Sequence, residues 1–117
     1  MTEHFHARKT VIDGLKFDSM SEARRYQELK LLQSAGAIKG LEVHPKIYVL
    51  PAYNECRQMN YTADFAYTEN GQYVVEDVKP FKTVKGQRKP YLTREFILKW
   101  KVLQYMHTTY DFRVVEA

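Results

Sequence analysis

The sequence predicts an α/β (α+β) domain, a central mixed β-sheet flanked by two helices and preceded by a short β-hairpin. Two turn dipeptides, Asp13-Gly14 and Asn70-Gly71, each sit between strand-like runs, the pattern of two-residue hairpins. Two stretches, beginning at Ser19 and near Thr93, carry apolar residues at helical spacing. The resulting order of hairpin, helix, three strands, helix and strand stacks the helices on a mixed or largely antiparallel sheet. At 117 residues the chain has room for one domain. Residues 1–8 read as a loose, flexible tail and residues 9–117 as the single domain.

Taken in order, Lys9–Ile12 and Leu15–Phe17 form the first hairpin. Ser19-Met20-Ser21-Glu22 fits a capping box, and the following helix runs on Ala23, Tyr26, Leu29 and Leu32 to a stop at Gly36 or Gly40. Leu41–Leu50 reads as one strand, with Pro45 marking an edge or a bulge. Asn60–Tyr67 and Tyr73–Lys79 are the arms of the second hairpin, ended by Pro80. Phe81–Pro90 reads as a basic loop. The second helix, from about Thr93 to Met106, presents Phe96, Ile97, Trp100 and Leu103 inward. Asp111–Val115 is the last strand.

Hydrophobic residues make up 44% of the chain and charged ones 27%, which suits a folded domain with a small core. The longest apolar run is far too short to cross a membrane, and the polar N-terminus does not read as a signal peptide, so a cytoplasmic location with no membrane partner is expected. One cysteine, Cys56, excludes an internal disulfide. The net charge of +4 is unevenly placed: Lys82, Lys85, Arg88, Lys89, Arg94, Lys99 and Lys101 face Glu95 alone between positions 82 and 101. A positive field concentrated on one segment points to a polyanion. Lys82, Lys85, Arg88, Lys89 and Arg94 are the candidate DNA contacts.

The second hairpin is where chemistry enters. With Asn70 and Gly71 as the turn, Glu69 faces Gln72, Tyr67 faces Val74, and Asp64 faces Asp77. Opposed residues on an antiparallel pair have Cβ atoms about 4.5–5.5 Å apart, so two carboxylates there repel. A divalent cation relieves that repulsion, since Mg²⁺ takes one or two carboxylates and fills its other positions with water and phosphate oxygens. Strand alternation puts Lys79 on the face of Asp77, and the same register sets Thr62 opposite Lys79. The competing reading is a pair of solvated charges on an exposed face. Glu22 lies at the head of the stripe Glu22, Tyr26, Leu29 and Gln33; it is either the capping-box acid, a third acid of the site, or both. Glu76 points to the opposite face and reads as structural, and His44 has no evident partner.

Tyr61-Thr62-Ala63-Asp64-Phe65 followed by Val75-Glu76-Asp77-Val78-Lys79 resembles the split Asp…(Asp/Glu)-x-Lys signature of the PD-(D/E)XK nuclease superfamily. The strings from Asp13 to Ser19 and from Glu22 to Tyr26 extend the likeness to a family of small phage and prophage proteins assigned to that superfamily, related to Holliday junction resolvase-like endonucleases. Ala63 stands where the signature's proline would be. The resemblance implies a restriction-endonuclease-like core and a divalent-metal-dependent endonuclease acting on duplex or branched DNA in the cytoplasm, the host's if phage-encoded. It implies Asp64, Asp77 and Glu22, with the Val78 backbone carbonyl, as ligands of Mg²⁺ or Mn²⁺. Lys79 would orient the attacking water, so the catalytic set is Glu22, Asp64, Asp77 and Lys79. A resolvase makes two symmetric cuts, which implies a homodimer. The rival function is a DNA-binding module that keeps the nuclease fold with little or no hydrolysis.

Overall fold

The computed structural model describes residues 9–116, and the expected tail, residues 1–8, lies outside the described residues. The chain opens on β1 (Thr10–Ile12) and β2 (Leu15–Phe17), with Ile12 facing Leu15. Asp13 and Gly14 take φ of 54° and 76°, the left-handed pair that a two-residue hairpin turn demands. Helix α1 (Met20–Ser34) starts as its cap dictates, the Ser19 hydroxyl accepting the Glu22 N–H at 3.1 Å. Its buried residues Ala23, Tyr26 and Leu29 pack on Phe17, Phe65, Tyr67 and Val74. Leu32, expected inside, is exposed.

Beyond α1 come β3 (Lys39–Val43), β4 (Lys46–Leu50), β5 (Met59–Thr62), β6 (Phe65–Glu69) and β7 (Gln72–Val78). They are followed by β8 (Phe81–Val84), β9 (Gln87–Pro90), α2 (Arg94–Met106) and β10 (Asp111–Val115). The main sheet runs β10-β7-β6-β3, with β10 parallel to β7 and the other pairs antiparallel, so it is mixed. Helix α1 covers one face. Helix α2 buries Phe96, Trp100 and Leu103 with Ile47, Val49, Ala66 and Val75 on the other. Covered on both sides, Val74 to Asp77 of β7 are all buried, which is where the domain keeps its driest backbone. Among the described residues no helix is long and apolar enough to cross a membrane.

Four further expectations need correction. The strand expected over Leu41–Leu50 is two, because Pro45 has no N–H to give a ladder and His44 before it turns to φ 55°. The strand expected over Asn60–Tyr67 breaks at the same level, at Ala63 and Asp64. Two backbone bonds lock the breaks together: His44 N–H to the Asp64 carbonyl and Ala63 N–H to the Pro45 carbonyl, both 3.0 Å. Strands β4 and β5 thereby leave the main sheet as a separate antiparallel ribbon. The basic loop is a hairpin, β8 and β9, turning at Lys85 and Gly86 with φ of 51° and 79°. Ile97, expected on the inner face of α2, is 49% exposed.

The Asn70-Gly71 turn forms as expected, with φ of 50° and 79°. A Cβ at Gly71 would meet nothing within 4 Å, so substitution there tests backbone strain alone. Gly71→Ala is expected to lower stability by about 1 kcal/mol in urea unfolding with an unchanged m-value. A neutral result would mean that the turn does not hold the left-handed geometry.

Candidate active site

The β6–β7 ladder keeps the predicted register from Glu69↔Gln72 to Phe65↔Glu76. It stops one residue short of Asp64. There the chain bends, and the Asp64 N–H donates to the Glu76 carbonyl at 3.2 Å instead of continuing the ladder. The pairing of Thr62 with Lys79 fails for the same reason: Thr62 belongs to the ribbon and faces Lys46. The two acids still meet. Asp77 stands close enough to Asp64 to raise its pKa, and the Asp64 carboxylate accepts the Val78 N–H at 2.6 Å.

Asp77 is 3% exposed, which rules out a solvated pair on an open face. Burial, then the proximity and charge of Asp77, then the charge of Glu22 hold the Asp64 carboxyl well above the ordinary aspartate range, against the Val78 N–H that favours its ionised form. Lys79 projects to the same side, its Nζ 3.7 Å from Asp77 Oδ1 and 4.2 Å from the centre of the Phe96 ring. The ring face and the carboxylate together hold that ammonium beside the acids. Tyr61, reaching over from the ribbon, donates its hydroxyl to Asp77, and burial followed by that bond raises its own pKa.

Among the described hydrogen bonds Glu22 is not the capping-box acid, since its main chain and not its carboxylate meets Ser19. Its N–H completes the helix cap, while its carboxylate turns to His44, whose Nε2 is 3.8 Å away. Burial first, and the charge of Asp18 next, raise its pKa, with His44 opposing. The charge of Asp77 acts on Glu22, and those of Asp77 and Glu22 act on Asp64, yet among the described residues no three His, Cys, Asp or Glu side chains close into one cage. Two close carboxylates with spare lone pairs are the donor set that Mg²⁺ or Mn²⁺ accepts, because such ions fill the remaining positions with water and substrate oxygens. The residues fit the ion.

His44 is the site residue that the sequence reading missed. Its left-handed backbone locks Asp64 in place and its ring faces Glu22. The only local signal was the following proline. Glu76 was correctly set on the opposite face: wholly buried, it takes two bonds from Arg25, at 2.9 and 2.7 Å, and the Tyr67 hydroxyl.

The basic residues divide. Lys82 and Lys89 face each other across β8 and β9, and Lys82 Nζ lies 4.7 Å from the centre of the Tyr91 ring. Lys82, Lys85, Lys89 and Arg94 make no ion pair among the described residues. Arg88 differs, being committed to Glu116 and Thr83. The Tyr91 N–H bonds the Pro80 carbonyl at 2.8 Å, which ties the base of this hairpin to the residue after Lys79. A cleft of about 500 Å³ opens there, lined by Lys82, Pro90, Tyr91, Leu92, Thr93 and Ile97.

A family model described as "Protein of unknown function (DUF1064)" matches residues 2–114. No curated protein and no solved structure matches the chain.

The raised Asp64 carboxyl fixes a sign. A folded state that holds a proton the unfolded chain releases is favoured below the ordinary aspartate pKa and loses that advantage as pH rises towards the raised value. In metal-free buffer at pH 8, Asp64→Asn is expected to be more stable than the wild type by about 1 kcal/mol, or about 4 °C for a domain of this size. The gap should shrink at pH 5 in paired thermal melts. A variant that is less stable at pH 8 would show that the acids do not strain one another.

Proposed function

For this chain, which belongs to the DUF1064 family across residues 2–114, we propose a divalent-metal-dependent endonuclease that hydrolyses DNA phosphodiester bonds on a restriction-endonuclease-like core. The observation that carries the reading is the forced contact of Asp64 with Asp77, beside the Lys79 ammonium. A core gains nothing from two acids pressed together. A cation site does.

Asp64 and Asp77 would hold Mg²⁺ or Mn²⁺, with the Val78 carbonyl and Glu22 as the further oxygen donors. When bound, the ion supplies a more acidic water and a positive charge against the scissile phosphate. Lys79, seated over the Phe96 ring, orients the attacking water and offsets charge growing on the phosphate oxygens. Tyr61 holds Asp77 in one rotamer through its hydroxyl. Glu22 faces the same space with a carboxylate whose proton is held more tightly than usual. Lys82, Lys85, Lys89 and Arg94 grip the phosphate backbone, contacts that position a strand without reading its sequence. A chain that recognises DNA by backbone and shape suits branched substrates such as four-way junctions, and two symmetric cuts would then come from a homodimer of phage or prophage origin.

A second reading, a DNA-binding module with little hydrolysis, is favoured by one observation: the unpaired Lys82, Lys85 and Lys89 stand on their own hairpin, outside the acid pair. Plasmid nicking separates the two. The wild type should nick supercoiled DNA with Mg²⁺ or Mn²⁺ and stop with EDTA, and Asp77→Ala should lose about 10²-fold or more. Linear duplex, single strand and a four-way junction offered side by side then rank the substrates. Binding without metal-dependent nicking would leave the module.

Because Asp64 must give up a tightly held proton before it can bind an ion, Mn²⁺ affinity is expected to climb by up to about tenfold per pH unit from pH 6 to 8. Calorimetry in two buffers of different ionisation enthalpy should record the released proton. Affinity flat with pH would refute Asp64 as a ligand.

A further inference from the structure

On the α1 face of the sheet lies a charged cluster that the proposed chemistry leaves unused. Glu76 is fully buried, and the Arg25 guanidinium grips it with a two-pronged contact from α1. The Tyr67 hydroxyl adds a third bond, and Arg113 reaches that hydroxyl at 3.5 Å while pairing with Glu69 and Asp111. One connected network thus joins α1, β6, β7 and β10.

We propose that the Arg25–Glu76 fork is a positioning device, which sets where Glu22 stands relative to Asp64 and Asp77. Arg25 is one helical turn beyond Glu22, and Glu76 immediately precedes Asp77. Any slide or roll of α1 over β7 that moves Glu22 from the acid pair must therefore break the fork. Apolar packing cannot enforce this, since contacts such as Tyr26 and Leu29 on Phe17 and Phe65 tolerate small shifts. Directional bonds from a planar guanidinium to a carboxylate do not tolerate them. A buried ion pair is also poor value as a fastening, because well-packed apolar replacements are often as stable or more so. What the fork adds is geometry, and sites of this kind work only within tenths of an ångström.

The inference rests on the cation-site reading, and the test keeps the two apart. The variant is Arg25→Met with Glu76→Leu and Tyr67→Phe, an apolar replacement of the cluster. It is expected to melt no lower than the wild type, to bind Mn²⁺ about tenfold or more weakly, and to lose kcat in nicking with KM for DNA unchanged. Without any metal, amide exchange over Glu22–Tyr26 should accelerate at least tenfold while β7 stays protected. Wild-type Mn²⁺ affinity with wild-type exchange in the triple variant overturns the proposal, as does a lower melting temperature, which would make the cluster a structural brace. Should that variant not fold, Arg25→Lys decides: weaker Mn²⁺ uptake at an unchanged melting temperature supports positioning, and unchanged uptake overturns it. If the wild type takes up no Mn²⁺ at all, the cation site falls, and the exchange rates still judge the fork.

Discussion

Two acids share a dry end of the sheet because the backbone gives them nowhere else to go. The bends at His44-Pro45 and Ala63-Asp64 are bonded to each other, so Asp64 is fixed by main chain before its side chain has any choice. Asp77 is fixed by the central strand β7, covered on both faces. Around that constraint the rest is arranged: Lys79 lies over Phe96, Tyr61 caps Asp77 from the ribbon, and α1 brings Glu22 to the rim. Lys79 offsets the repulsion and Tyr61 stops Asp77 from turning away from it, while Glu22 adds to it.

The legibility of this arrangement depended on how local its causes were. Turns made by Asp13-Gly14 and Asn70-Gly71, and the cap at Ser19, are written in two to four adjacent residues and were read correctly. The register they imply carried Asp64 to the neighbourhood of Asp77. It could not reveal the bend at Ala63-Asp64, which has no sequence signal of its own and exists because a proline eighteen positions earlier interrupts the partner strand. His44 was missed for the same reason, its role arising from a long-range bond. The β8–β9 hairpin was mistaken for a loop because its turn is Lys85-Gly86, a lysine in a conformation that asparagine or aspartate usually supplies. Ile97 shows the limit of periodicity, which gives a stripe but not its width.

Under the proposed function, three unpaired lysines on a two-stranded ribbon, with Arg94 at the start of α2, would separate holding from cutting. The acids repel any phosphate that arrives without a cation, whereas Lys82, Lys85, Lys89 and Arg94 attract it at a little distance. The cleft beside Tyr91 lies next to the Tyr91–Pro80 bond that ties the base of the hairpin to the residue after Lys79.

The facing lysines of β8 and β9 have a consequence for how solution conditions act on the molecule. Like charges set directly across a ladder push its strands apart, and a ribbon of two strands has little else to hold it. Dissolved salt would therefore firm up this arm while, under the proposed function, loosening its hold on nucleic acid, so ionic strength would pull shape and grip in contrary directions. A polyanion laid along the arm would do both things at once, quieting the repulsion and stiffening the structure that carries it.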